Sequence, residues 1–420
     1  MEQKISIAWI DLSLTVKNIF YRKEKTILNG VNGSVNFGSM NALLGPSGSG
    51  KTSLLKCING KIKSGLGKNS KIFLSSEQKI NACFIGQNNR EHLIMGLTAQ
   101  QNMIYASKLK NSANNTKIDH KKNVSDILSQ LMISDIADTK VMNCSGGEQK
   151  RLSIALELTS IIKPNLICID EPTTGLDSNA AEIVMKCLKI LCESHNISII
   201  TSIHQPNSDI LMMFDKLYVL AKGGICVYSG PPQELSTHLT ECGVICNEFQ
   251  VPIELLLKVS SDYENNEYVY NLANKTSTEK CKILEKCVKE TKLYKNGLVF
   301  KSKTFKPIDF WYLLLRGMTY TYISQWKTLL TQIIFYILFS IVISNMFNSD
   351  IGKPDGCFSF LFDSKTNCVK QLEDDSLLDQ NVKFIFFVLV MAMFIQLSVT
   401  TITFASDIKI FVNEHQNSMY

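Results

Sequence analysis

Gly45-Pro46-Ser47-Gly48-Ser49-Gly50-Lys51-Thr52 is the stretch on which the reading of this 420-residue sequence turns. It follows Asn41-Ala42-Leu43-Leu44, a short apolar run of strand type, and leads through Ser53 into a segment with helical spacing that ends near Asn59. The pattern is a complete P-loop. Its glycines let backbone N–H groups turn toward phosphate oxygens, and the helix that follows adds the positive end of its dipole. Lys51 is placed to reach the β- and γ-phosphates and Thr52 to offer a hydroxyl to Mg²⁺, so residues 45 to 53 are expected to hold a nucleoside triphosphate.

A P-loop alone fits kinases, GTPases and motors, and the second acidic site discriminates among them. Leu166-Ile167-Cys168-Ile169 is a compact apolar strand that ends at Asp170 and Glu171. Asp170 at the strand end suits the hydration shell of Mg²⁺, and Glu171 beside it suits a general base that polarises the attacking water. Ile197-Ser198-Ile199-Ile200-Thr201 reads as a further strand. Strands alternating with helices predict an α/β fold with a mostly parallel sheet and ligands at the carboxyl ends of its strands. Ser145-Gly146-Gly147-Glu148, after Cys144 and before a helix, offers small residues and free amides as a second phosphate-facing surface.

The segment from Cys144 to Arg151 resembles the signature motif of ABC proteins. The resemblance extends to Gln87 after a strand, to Thr173-Thr174-Gly175-Leu176-Asp177 after the acids, and to His204 after the next strand. Ser202-Ile203-His204-Gln205-Pro206, Phe214-Asp215-Lys216-Leu217 and the stretch from Ile410 to Tyr420 resemble the G, or White, subfamily of ABC transporters. The resemblance implies an ATPase that uses ATP and Mg²⁺. It implies that Ser145, Gly146, Gly147 and Glu148 close on ATP held by the P-loop of an opposite subunit. It further implies that Gln87 joins Thr52 and Asp170 around Mg²⁺ and reports to the membrane domain. Asp177 would line the dimer interface, and His204 would touch the γ-phosphate beside Glu171 and Gln87. Two departures stand out. Gln101 occupies a place where the family usually has Glu, and Leu14 a place where it has an aromatic for adenine, with Trp9, Phe20 or Tyr21 as substitutes.

Thr328 to Phe347 and Phe384 to Ser406 run without a charge, long enough for helices that cross about 30 Å of hydrocarbon. Residues 348 to 382 between them carry seven acids and three lysines, the balance of an outer loop. Before the first run, Trp311, Tyr312, Tyr320, Tyr322 and Trp326 are interleaved with leucines and Arg316. That pattern suits a helix at the membrane surface or a buried amphipathic one. The basic stretch from Lys292 to Lys327 reads as a cytoplasmic flank or a solvated linker. The net charge of +6 gives no reason to expect nucleic acid as a partner. Of thirteen cysteines, Cys357 and Cys368 alone fall in the outer loop, where a disulfide between them is a candidate.

The expected organisation is a cytosolic ABC nucleotide-binding domain over 1–245, a cytosolic linker over 246–310, and a partial all-α transmembrane domain over 311–420. That last part comprises an interfacial helix at 311–326 and spans at about 328–347 and 384–406. The expected function follows from the resemblance: an ATP-hydrolysing subunit of a multi-pass membrane transporter. It would pair with a like or different half-transporter, lie in lipid, and move a lipophilic substrate. Family half-transporters have six spans and two are legible here. The sequence therefore reads as part of a normal half-transporter, or alternatively as a truncated, non-transporting regulatory or binding partner.

Overall fold

The computed structural model describes residues 4–17, 24–112, 118–244, 246, 250–261, 267–276, 291–294, 306–324, 326–346, 382–393, 397, 408–415 and 417. It divides into two compact units, Met1–Arg316 with Val412–Tyr420, and Gly317–Phe411.

The first unit is built on two sheets. β1 (Ile5–Lys17) and β2 (Glu24–Asn36) form a long antiparallel pair, to which β4 (Lys71–Ser75) and β10 (Thr291–Tyr294) add in the order β10-β4-β1-β2. Burial along β2 alternates toward its end, as expected for a strand with one face on a core and one on solvent. The second sheet runs β5-β6-β7-β3-β8-β9, from β3 (Met40–Leu44), β5 (Ala82–Ile85), β6 (Leu166–Asp170), β7 (Ser198–Ser202), β8 (Lys216–Ala221) and β9 (Ile225–Gly230). Its first five strands are parallel and β9 is antiparallel to β8. Every residue of β3, β6 and β7 is buried. This explains why these strands read as unbroken apolar runs: a parallel sheet is covered on both faces.

One face of the parallel sheet packs on the helices Ala99–Asn111, His120–Gln130, Gly146–Leu158 and Ser178–His195 in the larger core. The other face shares a second core with the antiparallel sheet and the Lys51–Ile58 helix. Trp9 lies in that second core, fully buried, with its ring 5.5 Å from Tyr218. It is therefore closed to adenine, contrary to one sequence expectation; Phe20 and Tyr21 lie outside the described residues. Truncating a side chain of this size in a packed core costs about 3–5 kcal/mol.

The stretch expected as a linker is partly folded into this unit. Ile253 and Leu256 of the Pro252–Ser261 helix, and Val269 and Leu272 of the helix at 267–276, are buried in the larger core. Their apolar spacing supplies a face for the sheet, and the polar composition had masked it. The chain also returns to this unit after the second apolar run. Asn417 accepts from the Phe84 amide at 3.4 Å and donates to the Phe84 carbonyl at 3.1 Å, and Arg316 pairs with Glu414 through contacts of 2.5 and 3.0 Å.

In the second unit, Trp326–Met346 forms a helix over most of the first apolar run. Residues 382–393 form another over the start of the second, with Phe339 and Phe387 stacked at 5.9 Å. Counted over the described residues, no helix is long and apolar enough to cross a membrane. The acidic loop, with Cys357 and Cys368, and most of 394–406 lie outside the described residues.

Candidate nucleotide site

The sheet order gathers the chemistry at one edge. The P-loop leaves β3, Asp170 ends β6, Gln87 stands two residues past β5, and His204 two residues past β7. β5, β6, β7 and β3 are consecutive neighbours in the sheet, so all four groups emerge at carboxyl ends of adjacent parallel strands.

The P-loop has the backbone its glycines permit. Gly45, Gly48 and Gly50 all have positive φ, and Gly50 is the left-handed N-cap of the Lys51–Ile58 helix. At Gly45 a Cβ would also collide with the Leu220 carbonyl on the neighbouring strand, so the tight exit from β3 requires glycine. The Lys51 ammonium folds over the loop and donates to the carbonyls of Gly45 at 2.7 Å and Pro46 at 3.1 Å. Burial lowers its pKa, and the nearby charges of Glu171 and Asp170 act in the opposite sense. Ser49 Oγ is buried without a hydrogen-bond partner beneath the turn. Ser47, Gly48, Gly50, Lys51, Thr52 and Ser53 line one side of a cleft of about 600 Å³. Glu171, Lys25, Thr26, Ile27, Lys222 and Gly223 line the rest.

Thr52 Oγ1 donates to Asp170 Oδ1 at 3.1 Å, joining the P-loop helix to the end of β6. Ser202 Oγ donates to the same oxygen at 2.6 Å and accepts the Glu171 amide at 2.9 Å. Glu171 has φ of 47°, a left-handed conformation that costs a non-glycine residue about 1–2 kcal/mol, and the Ser202 hydroxyl helps to hold it there. The Glu171 carboxylate accepts from Gln87 Nε2 at 2.7 Å and from Thr174 Oγ1 at 2.8 Å through the same oxygen. Gln87, Glu171, Asp170 and Thr52 thus form one continuous set. A hydroxyl, an amide and one carboxylate suit Mg²⁺, which keeps several waters and takes few protein ligands. A glycine turn at a helix N-terminus, a buried ammonium and that donor set fit a magnesium nucleotide.

The signature turn is arranged differently. Ser145 caps the Gly146–Leu158 helix, accepting the Glu148 amide at 3.3 Å, while Glu148 reaches back to the Ser145 amide at 2.8 Å. Ser145 and Gly146 are exposed, and none of the four residues lines the cleft. Asp177 caps the Ser178–His195 helix by accepting the Ala180 amide at 2.7 Å. His204 is exposed at the strand end, outside the cleft lining.

Ser202, Thr174, Lys25 and Lys222 had no role assigned from the sequence. Only the register that sets Asp170 opposite Ser202 gives the serine its place, and only tertiary packing brings Lys25 and Lys222 to the cleft.

A P-loop on the central strand, carboxylates on its second neighbour and a capped glycine turn define a nucleotide-binding domain of ABC type. The family model of the ABC transporter domain matches residues 28–174, and that of the ABC-2 type transporter matches residues 204–270, a stretch within the first compact unit. The chain is 32% identical over 275 residues to ABC transporter G family member 13 of Arabidopsis thaliana, covering 63% of this chain and 40% of the relative. It is 32% identical over 294 residues to the broad substrate specificity ATP-binding cassette transporter ABCG2 of Bos taurus, covering 66% and 44%. With ABC transporter G family member 1 of Petunia hybrida it shares 30% over 301 residues, covering 69% and 46%. Residues 28–174 thus carry an ABC transporter domain, the chain is similar to G family members, and it spans less than half the length of these relatives.

Proposed function

We propose that this chain is the ATP-hydrolysing subunit of a G-type transporter, working in a dimer with a like or different half-transporter to move a lipophilic substrate across a membrane. The observation that carries the reading is the hydrogen-bonded set from Thr52 and Asp170 through Ser202 and Glu171 to Gln87, of which Thr52 and Glu171 line one cleft with Lys51. Bound Mg²⁺ would neutralise charge on the β- and γ-phosphates.

The remaining chemistry belongs to the chain. Lys51 exchanges its two loop carbonyls for phosphate oxygens, and Thr52 and Asp170 bear on the metal. The Glu171 carboxylate, fixed by Gln87 and Thr174, takes the proton of the attacking water. The exposed Ser145 turn supplies amides to ATP on the second subunit, and Asp177 and His204 act at that junction. Membrane residence is supported by the exposed apolar side chains of the second unit, among them Ile333, Leu338 and Phe386 at 56%, 57% and 68%.

The dimer is tested by ATPase rate against subunit concentration for the purified full chain in nanodiscs or detergent. Specific activity is expected to rise with concentration as subunits pair. A preparation held monomeric whose specific activity is as high as that of the dimer overturns the shared site.

A further inference from the structure

The Gln87 side chain is held by its own backbone as well as by Glu171. The Gly86 amide donates to His92 Nε2 at 2.8 Å. From the opposite side the Lys150 ammonium donates to the Gly86 carbonyl at 3.0 Å and to the Gln87 carbonyl at 3.1 Å. Gly86, His92 and Lys150 are all buried, whereas Gln87 is exposed. The turn that makes this arrangement is local. Asn88 accepts the Arg90 amide, the His92 amide bonds back to the Asn89 carbonyl, and buried Leu93 fixes the return of the chain.

We infer that His92 and Lys150 are positioning residues for Gln87, clamping the peptide from which it reaches Glu171. The inference rests on the reading of Gln87 and Glu171 given above. A backbone N–H can only donate, so Nε2 of His92 is bare and accepts it, and the proton of the neutral ring sits on Nδ1. Burial, with Lys150, Lys61 and Lys110 nearby, pushes His92 down to about 3, so the ring stays an acceptor at neutral pH. Lys150 is itself lowered to about 8 by burial, against the pull of Asp170 and Glu171. A core histidine that merely fills space would need neither the acceptor nor the partner lysine. Here the two residues satisfy the N–H and C=O flanking a single side chain that touches the general base.

The test uses the full chain and three measurements on His92→Phe, which keeps a ring and loses the acceptor. Hydrogen exchange of the Gly86 amide without nucleotide should quicken about tenfold, because an unmet buried donor weakens local closure. ATPase kcat should fall about tenfold while nucleotide affinity stays within about twofold. His92→Gln, whose amide oxygen reaches the position of Nε2, should recover most of both, and Lys150→Met should repeat the kcat loss at unchanged affinity. In a Gln87→Ala background His92→Phe should cost nothing more. A full further loss there, or unchanged Gly86 exchange in the single variant, overturns the inference. Wild-type kcat in Gln87→Ala alone overturns instead the reading of Gln87 on which it rests.

Discussion

The P-loop and the signature turn are both glycine-rich turns at helix N-termini, yet the structure treats them in opposite ways. The P-loop is completed inside the chain: Lys51 is buried over it, Thr52 is tied to Asp170, and Glu171 faces it across one cleft. The signature turn completes only itself, through the reciprocal bonds of Ser145 and Glu148, and leaves Ser145 and Gly146 facing solvent. Similar local chemistry therefore yields one turn whose neighbouring acids and cation come from the same chain and one turn left facing solvent, the half that the proposed function assigns to a second subunit. A helix N-terminus offers amides in either case, and the surrounding strands decide whether the same chain supplies the acids and the cation.

The sharpest test of that contrast is Glu171→Gln, which removes the base from the P-loop side. ATP turnover should fall about a hundredfold or more with binding retained. Near-normal turnover would show that the water is activated elsewhere. Next comes Lys51→Ala, which should weaken nucleotide binding about tenfold to a hundredfold, the worth of a charged hydrogen bond or two. Titration with a fluorescent nucleotide analogue measures it, and unchanged affinity would remove the P-loop from the site.

Ser145→Arg probes the signature turn. Hydrolysis should drop about tenfold or more as the donor surface is blocked, while binding to the isolated subunit stays put. If binding falls as much as turnover, the turn serves its own chain and the contrast fails. Ser202→Ala is milder, since Asp170 keeps Thr52. It should cost about 1–3 kcal/mol of stability by thermal melting, from the lost buried bond to Asp170 and the freed Glu171 amide.

The smallest expected effect is one of pH. His92 is lowered to about 3 in the fold, so between there and its ordinary value of about 6.5 the unfolded chain binds the additional proton. Stability contributed by the neutral ring is thus complete above about 6.5 and lost as pH falls through that window. Melting temperature from pH 7 to about 5 should decline more steeply for the wild type than for His92→Gln, which has nothing to protonate there. Equal slopes would show that other groups carry the acid response.

The four strand-end motifs were legible because each is local: a glycine pattern, an apolar run with acids at its end, a histidine after a strand. The parallel α/β sheet was legible for the same reason, since β3, β6 and β7 are buried on both faces and read as unbroken apolar runs. The segment 252–276 was misjudged because its apolar face is carried by few residues, Ile253, Leu256, Val269 and Leu272, spread through polar surroundings. Trp9 looked available to a base and proved to be core.

The sequence by itself determined which chemical groups the strand ends offer, because the backbone freedom of glycine, the charge of Lys51 and the carboxylates of Asp170 and Glu171 are properties of residues in order. Tertiary structure alone decided which of them meet. The strand order β5-β6-β7-β3 sets Ser202 against Asp170 and carries Gln87 to Glu171, and the fold leaves His92 and Lys150 bonded to the N–H and C=O of Gly86. Hydrogen bonds act over about 3 Å, and residues tens of positions apart come within that reach only when the sheet has chosen their neighbours.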